Sequence, residues 1–589
     1  MGLEIFQSGL AIGRDALHAG DVSTAVDIFQ RLAATTPSDP EARYWLASAL
    51  LAAGDAQAAA GAMDDARILH ALPLAAARGA DLARCKEDAA YANDIATRLY
   101  AQNHVAMSGV VRALALSAGE ISADGLLSYG LALQHQGRAE DACQVFRAAA
   151  ENFPSAQLHQ FLLFPQLFCD DGEARYAAEA RDWARLYARA PSPAPFGNPA
   201  RKGRKLRIGY LAPNFAGTQL RQFVRPLFES HDPQAVEVVL YPARAETEAG
   251  QWPSSVAIHP IGELSDSQAA ALIRRDGIDV LADCWGHTAG SRLPLVALRP
   301  APVQVAWINF VQTTGLEQVD YVLHADADRP IPTEGLFTES IWTIGPVFNV
   351  FRPSDGRLPP APTPAVARGQ VTFGSFNHPA KLNDHVLDTW AAILRAAPAG
   401  RLLLKYSYFI DPVLQRVTQA RFAARGVAPE RIVFAGHSTG EAYHQAFAEV
   451  DLMLDTWPAP GSTTTLEALS NGVPVLSLDG PEPSLTGAYA RAMLEASGLH
   501  ELVASSPQDF VARALDLTAD PARLDALRAR VRPGFEGGGC CDAAGLARRL
   551  EAPSSQPMPT GPRGSSRTAP GGCRSTPPPA ATRPPTTAP

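Results

Sequence analysis

Apolar residues recur every three to four positions through the first 155 residues, in segments separated by short polar turns, which predicts amphipathic helices packed side by side. A Pro-rich and then basic stretch, PSPAPFGNPARKGRK (191–205), ends that pattern. From KLRIGYL (205–211) onward, short apolar runs alternate with helical segments: VEVVLY, IDVLADCW and VQVAWINF form one set. After a second Pro-rich break, VTFGSFN (371–377), RLLLKYS, RIVFAG, DLMLD and VPVLSL form another. Buried strands alternating with helices predict parallel sheets, and two such sets predict two doubly wound α/β domains, with ligands at the carboxyl ends of the strands.

The helical part repeats. Gly20, Ala25, Phe29 and Pro37 return at the same offsets as Gly137, Ala142, Phe146 and Pro154, and Gly54, Ala59 and Met63 follow the first set by 34 residues. Thirty-four is the period of tetratricopeptide hairpins, in which Gly permits the turn, Ala lets two helices approach and Pro closes the second helix. Residues 70–120 keep the helical pattern without the signature and read as a degenerate repeat. The predicted organisation is an α-solenoid over 1–155, a helical connection and linker over 156–204, α/β domains over 205–355 and 370–550, and a disordered Pro/Ser/Thr-rich tail over 552–589. A solenoid has a concave face, the expected dock for a protein or peptide.

Composition narrows the function. The 589 residues are 46% hydrophobic and 19% charged, with a net charge of -9, so no dominant cluster of Lys and Arg suits a nucleic-acid partner. No run of 18 apolar residues predicts membrane insertion, and the N-terminus lacks the basic start and apolar core of a signal peptide, so the expected compartment is the cytoplasm. Seven scattered cysteines form no CxxC pattern and read as reduced thiols without a metal.

The stretch GSTTTLEALSNG (461–472) carries the candidate chemistry. A Gly-Ser-Thr-Thr run at a helix start offers either an ordinary cap and turn, or backbone N–H groups, hydroxyls and a positive dipole end that suit a phosphate. Thr463, Thr464 and Glu467 fall at i, i+1 and i+4, so a carboxylate able to accept two ribose hydroxyls lies close to the same face. In SFNHPAKLN, Lys381 follows a predicted strand; it is either a solvated lysine or the cation that neutralises a leaving diphosphate in place of a metal.

Taken together, the repeats, KLRIGYLAPNF, GIDVLADCWGHTAGSRLPLVALRPAPVQVAW, TTGLEQVDY, TFGSFNHPAKLN and GSTTTLEALSNGVPVLSL resemble the O-GlcNAc transferase and SPINDLY-like family of protein glycosyltransferases, over roughly residues 205–550. The resemblance implies a GT-B fold of two Rossmann-like halves and metal-independent, inverting transfer from a nucleotide sugar, UDP-GlcNAc by default, to Ser or Thr of proteins docked on the repeats. It implies catalytic roles for Lys381 and His287, and nucleotide-sugar contacts for Asn377, His378, Tyr443, Gly461, Ser462, Thr463, Thr464 and Glu467. It also implies a sugar pocket of Thr218, Asn309, Val311, Thr313 and Thr314.

The chain departs from the family at three places. Asn214 and Thr218 replace the acid and histidine of a D-F-x-x-H pattern, and threonine is no general base near pH 7. Asn309 and Val311 stand where the family has GYPG, changing volume and polarity beside the sugar, and Tyr443 replaces a histidine near the base. These changes keep two alternatives open: another donor used on a dedicated target such as flagellin, or an inactive repeat scaffold. The Asp326-Ala-Asp328 triplet lies outside the C-terminal nucleotide half and reads as a chance match to a metal motif.

Overall fold

The computed structural model describes residues 2–76, 82–117, 121–189, 195–199, 203–244, 252–308, 311–326, 333–359, 361–479 and 484–551. The tail expected to be disordered, 552–589, lies outside these, as do Asn309 and Asp328.

Helix hairpins fill the N-terminal region for the reasons the repeat suggests. Gly20, Gly54 and Gly137 take φ of +82°, +83° and +77° at the hairpin turns, a left-handed conformation that costs a residue with a Cβ. Ala25, Ala59 and Ala142 are buried at the helix crossings, together with Phe29, Met63 and Phe146. The degenerate repeat is a real hairpin, Ala89–Ala101 and Val105–Ser117, whose turn residue is Asn103 at φ +64°. Asparagine tolerates that conformation best after glycine, so the signature disappears while the geometry persists.

Two parallel sheets follow. In the first half, β1 (Leu206–Ala212), β2 (Val236–Pro242), β3 (Val256–Ile258), β4 (Val280–Asp283), β5 (Val303–Ala306), β6 (Tyr321–His324) and β7 (Ser340–Thr343) lie in the order β3-β2-β1-β4-β5-β6-β7. In the second, β8 (Thr372–Ser375), β9 (Arg401–Lys405), β10 (Ile432–Ala435), β11 (Leu452–Leu454), β12 (Val475–Leu478) and β13 (Val503–Ala504) lie in the order β10-β9-β8-β11-β12-β13. Each order reverses once, between β1 and β4 and between β8 and β11, which is the doubly wound arrangement with a crevice at the switch point. The helix Ala543–Glu551 returns to the first half: Leu546 joins that half's core, and Arg549 Nε donates to the Ile344 carbonyl at 2.7 Å.

The repeats are fused to the second half through a buried polar joint. Asp411, fully buried, accepts from the Ala106 and Met107 amides through Oδ2 at 2.7 and 3.2 Å, and from Val413 and Leu414 through Oδ1 at 2.8 and 3.4 Å. One carboxylate therefore caps a repeat helix, Val105–Ser117, and a helix of the second α/β half, Pro412–Ala423. Nearby, Ser48 Oγ donates to the Ala420 carbonyl at 3.0 Å.

Candidate active site

The loops after β8 and β11, on either side of the switch point, build one hydrogen-bonded assembly. Asp455, directly after β11, is buried and saturated with donors: Asn377 Nδ2 at 3.1 Å, the Thr456 amide at 2.9 Å, the Gly461 amide at 2.7 Å and Ser477 Oγ at 2.6 Å. Asn377, just after β8, turns its Oδ1 to Thr464 Oγ1 (3.2 Å) and to Lys381 Nζ (3.3 Å). Lys381 ends the short 3-10 turn Pro379–Lys381 and also donates to the Pro460 carbonyl at 2.7 Å. An ammonium has three N–H donors, and these bonds engage two of them. Burial pushes the amine down to about 8, against the opposing pull of the Asp455 carboxylate. A cation with depressed basicity and a spare donor is poised to gain from an anionic ligand.

Gly461 fits this assembly because it has no side chain. A Cβ there would lie 2.4 Å from Thr465 Oγ1, 2.8 Å from Thr464 Oγ1 and 3.2 Å from Asp455 Oδ1. The chain can therefore fold tightly enough to begin the helix Thr463–Ser470 directly over the end of β11. The first intrahelical bond runs from Leu466 N to Ser462 O, and no side chain caps the start. The amides of Thr463, Thr464 and Thr465 lie before that bond at the positive end of the helix, the disposition that binds phosphate. Ser462 Oγ, which a simple N-cap would spend on these amides, instead bonds Tyr489 Oη at 2.8 Å, and that hydroxyl accepts from Asn349 Nδ2 at 3.0 Å.

Glu467 lies one turn further on. Its carboxylate accepts from the Tyr443 hydroxyl and from Gln222, and burial raises its pKa. Gln222 belongs to the helix Thr218–Ser230 of the first half, so the carboxylate is contacted from both sides of the cleft. Tyr443 packs on Phe447, with the Lys405 ammonium 5.7 Å from its ring centroid. Gln222, Tyr489 and Asp455 carry no motif, and sequence reasoning missed all three. Only the position of Asp455 at a strand's carboxyl end gave a signal.

Other expected residues form different groups. Thr313 and Thr314 donate their hydroxyls to the buried Glu339, Thr313 Oγ1 at 2.5 Å, so both are spent on holding the turn after β5 instead of facing a sugar. His287 is buried, its Nε2 bonded to the Thr314 carbonyl at 2.8 Å and its ring set edge-on to Trp183 at 4.8 Å. Burial lowers its pKa to about 4, which leaves the residue expected to be catalytic neutral and fixed by packing. His378 accepts from the Ala380 amide at 3.0 Å and packs between Tyr406 and the repeat residue His135, at 4.7 and 4.8 Å, so it braces the Lys381 turn and lies outside the Asn377 network. Val311 gives its carbonyl to His324 Nε2 at 2.9 Å. Thr218 opens its helix, but its side chain lies outside the described residues, as does Asn309. Between the last repeat and the first half, an open groove of about 140 Å³ is lined by Leu131, Gln134, Gln157, Phe161, Phe164 and Thr288.

The profile of glycosyl transferase family 41 matches residues 149–350 and 364–535. The chain belongs to that family. Tetratricopeptide repeat profiles match residues 10–76 and 124–156, and the transferase match begins upstream of the linker, so it takes in the helical connection. The chain is 32% identical over 391 residues to a protein of Oryza sativa subsp. japonica named "Probable UDP-N-acetylglucosamine--peptide N-acetylglucosaminyltransferase SPINDLY", covering 63% of this chain and 41% of that one. A protein of Arabidopsis thaliana with the same enzyme name and the designation SEC is 26% identical over 399 residues, covering 64% and 40%. The chain thus spans about two fifths of the length of these curated relatives. Among solved structures, a mutant O-GlcNAc transferase of Thermobaculum terrenum superposes with a TM-score of 0.69 at 27% identity, covering 93% of this chain and 96% of that one. The fold class is accordingly an α-solenoid followed by a GT-B pair of Rossmann-like halves. Among the described residues, no helix is long and apolar enough to cross a membrane.

Proposed function

We propose that the protein transfers a sugar from a UDP-sugar, N-acetylglucosamine by default, to Ser or Thr hydroxyls of protein targets, without a metal and with inversion at the anomeric carbon. The observation that carries this reading is the part-buried Lys381 ammonium beside the uncapped helix start at Thr463, both at the β8/β11 switch point. The amides of Thr463 to Thr465 and the Thr464 hydroxyl hold the diphosphate. Lys381 takes up the charge that develops as the bond between the anomeric carbon and the diphosphate oxygen breaks, the role a divalent cation plays elsewhere. Glu467 accepts the ribose hydroxyls in exchange for Tyr443 and Gln222. The acceptor oxygen attacks the anomeric carbon from the opposite face, UDP leaves with the bonding electron pair, and the hydroxyl proton passes to a phosphate oxygen of the departing UDP or to water. His287 is a positioning residue that holds the 313–315 turn, and the sugar-pocket roles of Thr218, Asn309 and Val311 rest on the family resemblance.

The named relatives support UDP-N-acetylglucosamine as donor and a peptide as acceptor. The groove between the last repeat and the first half suits an uncharged, extended acceptor segment, with glutamine amides for its backbone and phenylalanine rings for its side chains. The cytoplasm is the compartment in keeping with six described cysteines that are all free thiols. The test is incubation of purified protein with UDP-GlcNAc and a target protein in excess chelator. Release of UDP together with a matching mass gain on the target is expected. Transfer only from GDP- or CMP-sugars, or only after magnesium is added, would contradict the reading.

A pH dependence follows from Lys381. A bound diphosphate favours the ammonium, so binding above about pH 8 should take up a proton and affinity should fall as pH rises further. Calorimetry of UDP binding at pH 8.5, in two buffers of different ionisation heat, reads the uptake directly (about one proton at most). No uptake in Lys381→Ala is the matching control.

A further inference from the structure

The last repeat and the helix after it hold ligating side chains that the transfer chemistry leaves unused. Glu140 and Cys143 stand one turn apart on the helix Ala139–Asn152 and share a face. Cys169 follows the helix Ala156–Gln166, and the fold brings its Sγ, the Cys143 Sγ and a Glu140 carboxylate oxygen within 4.8 Å of one another. Both cysteines are buried, while Glu140 reaches solvent and is gripped by Arg175 at 2.5 and 3.1 Å. We propose that Glu140, Cys143 and Cys169 form a binding site for a thiophilic divalent cation of the zinc class, which pins the last repeat to the helical connection.

The geometry and the charge both suit it. Zinc–sulfur bonds of about 2.3 Å place tetrahedral ligand atoms roughly 3.5–4 Å apart, so the three donors need close by no more than about 1 Å. Binding releases the two thiol protons to solvent. Two thiolates and a carboxylate then carry three negative charges, of which the cation cancels two and Arg175 the third. Arg175 donates to both Glu140 oxygens, Nη1 to Oε1 at 2.5 Å and Nη2 to Oε2 at 3.1 Å; the cation takes one of these oxygens and leaves Arg175 on the other, the outer support of a ligating carboxylate. Water takes the fourth position from the exposed Glu140 side.

The test uses full-length protein, reduced and stripped of metal, titrated with Co²⁺. A thiolate-to-cobalt charge-transfer absorption should saturate at one cobalt per chain, be displaced by Zn²⁺, and vanish in Cys143→Ser and Cys169→Ser. Glu140→Ala, which keeps both sulfurs, should weaken cobalt binding by about tenfold or more. Absence of the band, or a band that survives in Cys143→Ser, would overturn the proposal. Should a cysteine variant fail to fold, alkylation of the wild-type protein decides: Zn²⁺ should protect Cys143 and Cys169, and equal labelling with and without Zn²⁺, or recovery of a Cys143–Cys169 disulfide in place of metal uptake, would overturn it as well.

Discussion

Lys381→Ala is expected to lower sugar transfer by about 10²- to 10³-fold, the usual loss when one preorganised charge facing a developing anion is removed. The fold should survive. In the folded protein the amine is driven from 10.5 down to about 8 by burial, so between those values the unfolded chain binds more protons than the folded one. The cost of carrying a part-buried ammonium is therefore complete below about pH 8 and absent above 10.5. At neutral pH the lysine destabilises the nucleotide-free protein, and its replacement by alanine should leave the melting temperature unchanged or raise it. Lower activity with equal or higher stability separates a residue kept for chemistry from one kept for packing. A variant that melts early, or one that transfers at the wild-type rate, would contradict the role given to Lys381.

Asp411→Ala is expected to cost about 3–5 kcal/mol, since it removes the cap of two helices at once and strands buried N–H groups. Against a total stability of about 5–15 kcal/mol that is a large share. The effect should reach the active site. Asp411 ends the 3-10 turn Ser407–Ile410, and Tyr408 in that turn packs on both His135 and His378. His378 in turn caps the Lys381 turn. Denaturant unfolding should show a lower midpoint for Asp411→Ala, with Asp411→Asn between it and the wild type because one amide oxygen retains part of the donor set. An alanine variant as stable as the wild type would mean that the repeats do not rely on this joint.

This joint also marks the limit of what the sequence reveals. The repeat turns were legible because only glycine takes φ near +80° without strain, so Gly20, Gly54 and Gly137 leave a trace at fixed spacing. The uncapped helix start at Gly461–Thr464, the proposed phosphate site, was legible because its features are local: consecutive residues supply the amides, the hydroxyls and the close turn. Asp411 carries no such mark. Its partners at Ala106 and Met107 are backbone amides more than 300 residues away, which any residue could supply. The same physics misplaced Thr313 and Thr314: a pair of hydroxyls at the end of a strand resembles a ligand contact until Glu339, from elsewhere in the sheet, is found to take both. His287 stood in a recognisable motif, yet its burial against Trp183 is a property of packing. Strands β3, β6, β7 and β13, two to four residues each, were not among the apolar runs read from the sequence. Cys143 and Cys169, 26 residues apart, matched no ligand spacing and meet only because two helices fold back on each other.

The central claim is that the switch point at Lys381 and Thr463 binds a nucleoside diphosphate without a metal. Thermal unfolding in excess chelator, with UDP, GDP and CMP supplied in turn to the wild-type protein and to Gly461→Ala, tests it most directly. At about 100 times its dissociation constant, a ligand that binds only the folded state adds roughly 2.7 kcal/mol, enough to move the midpoint visibly. UDP should shift the midpoint of the wild-type protein and not that of Gly461→Ala, where the added methyl group would lie 2.4 and 2.8 Å from the Thr465 and Thr464 hydroxyls. No shift with any nucleotide until magnesium is added, or an equal shift in both proteins, would contradict it.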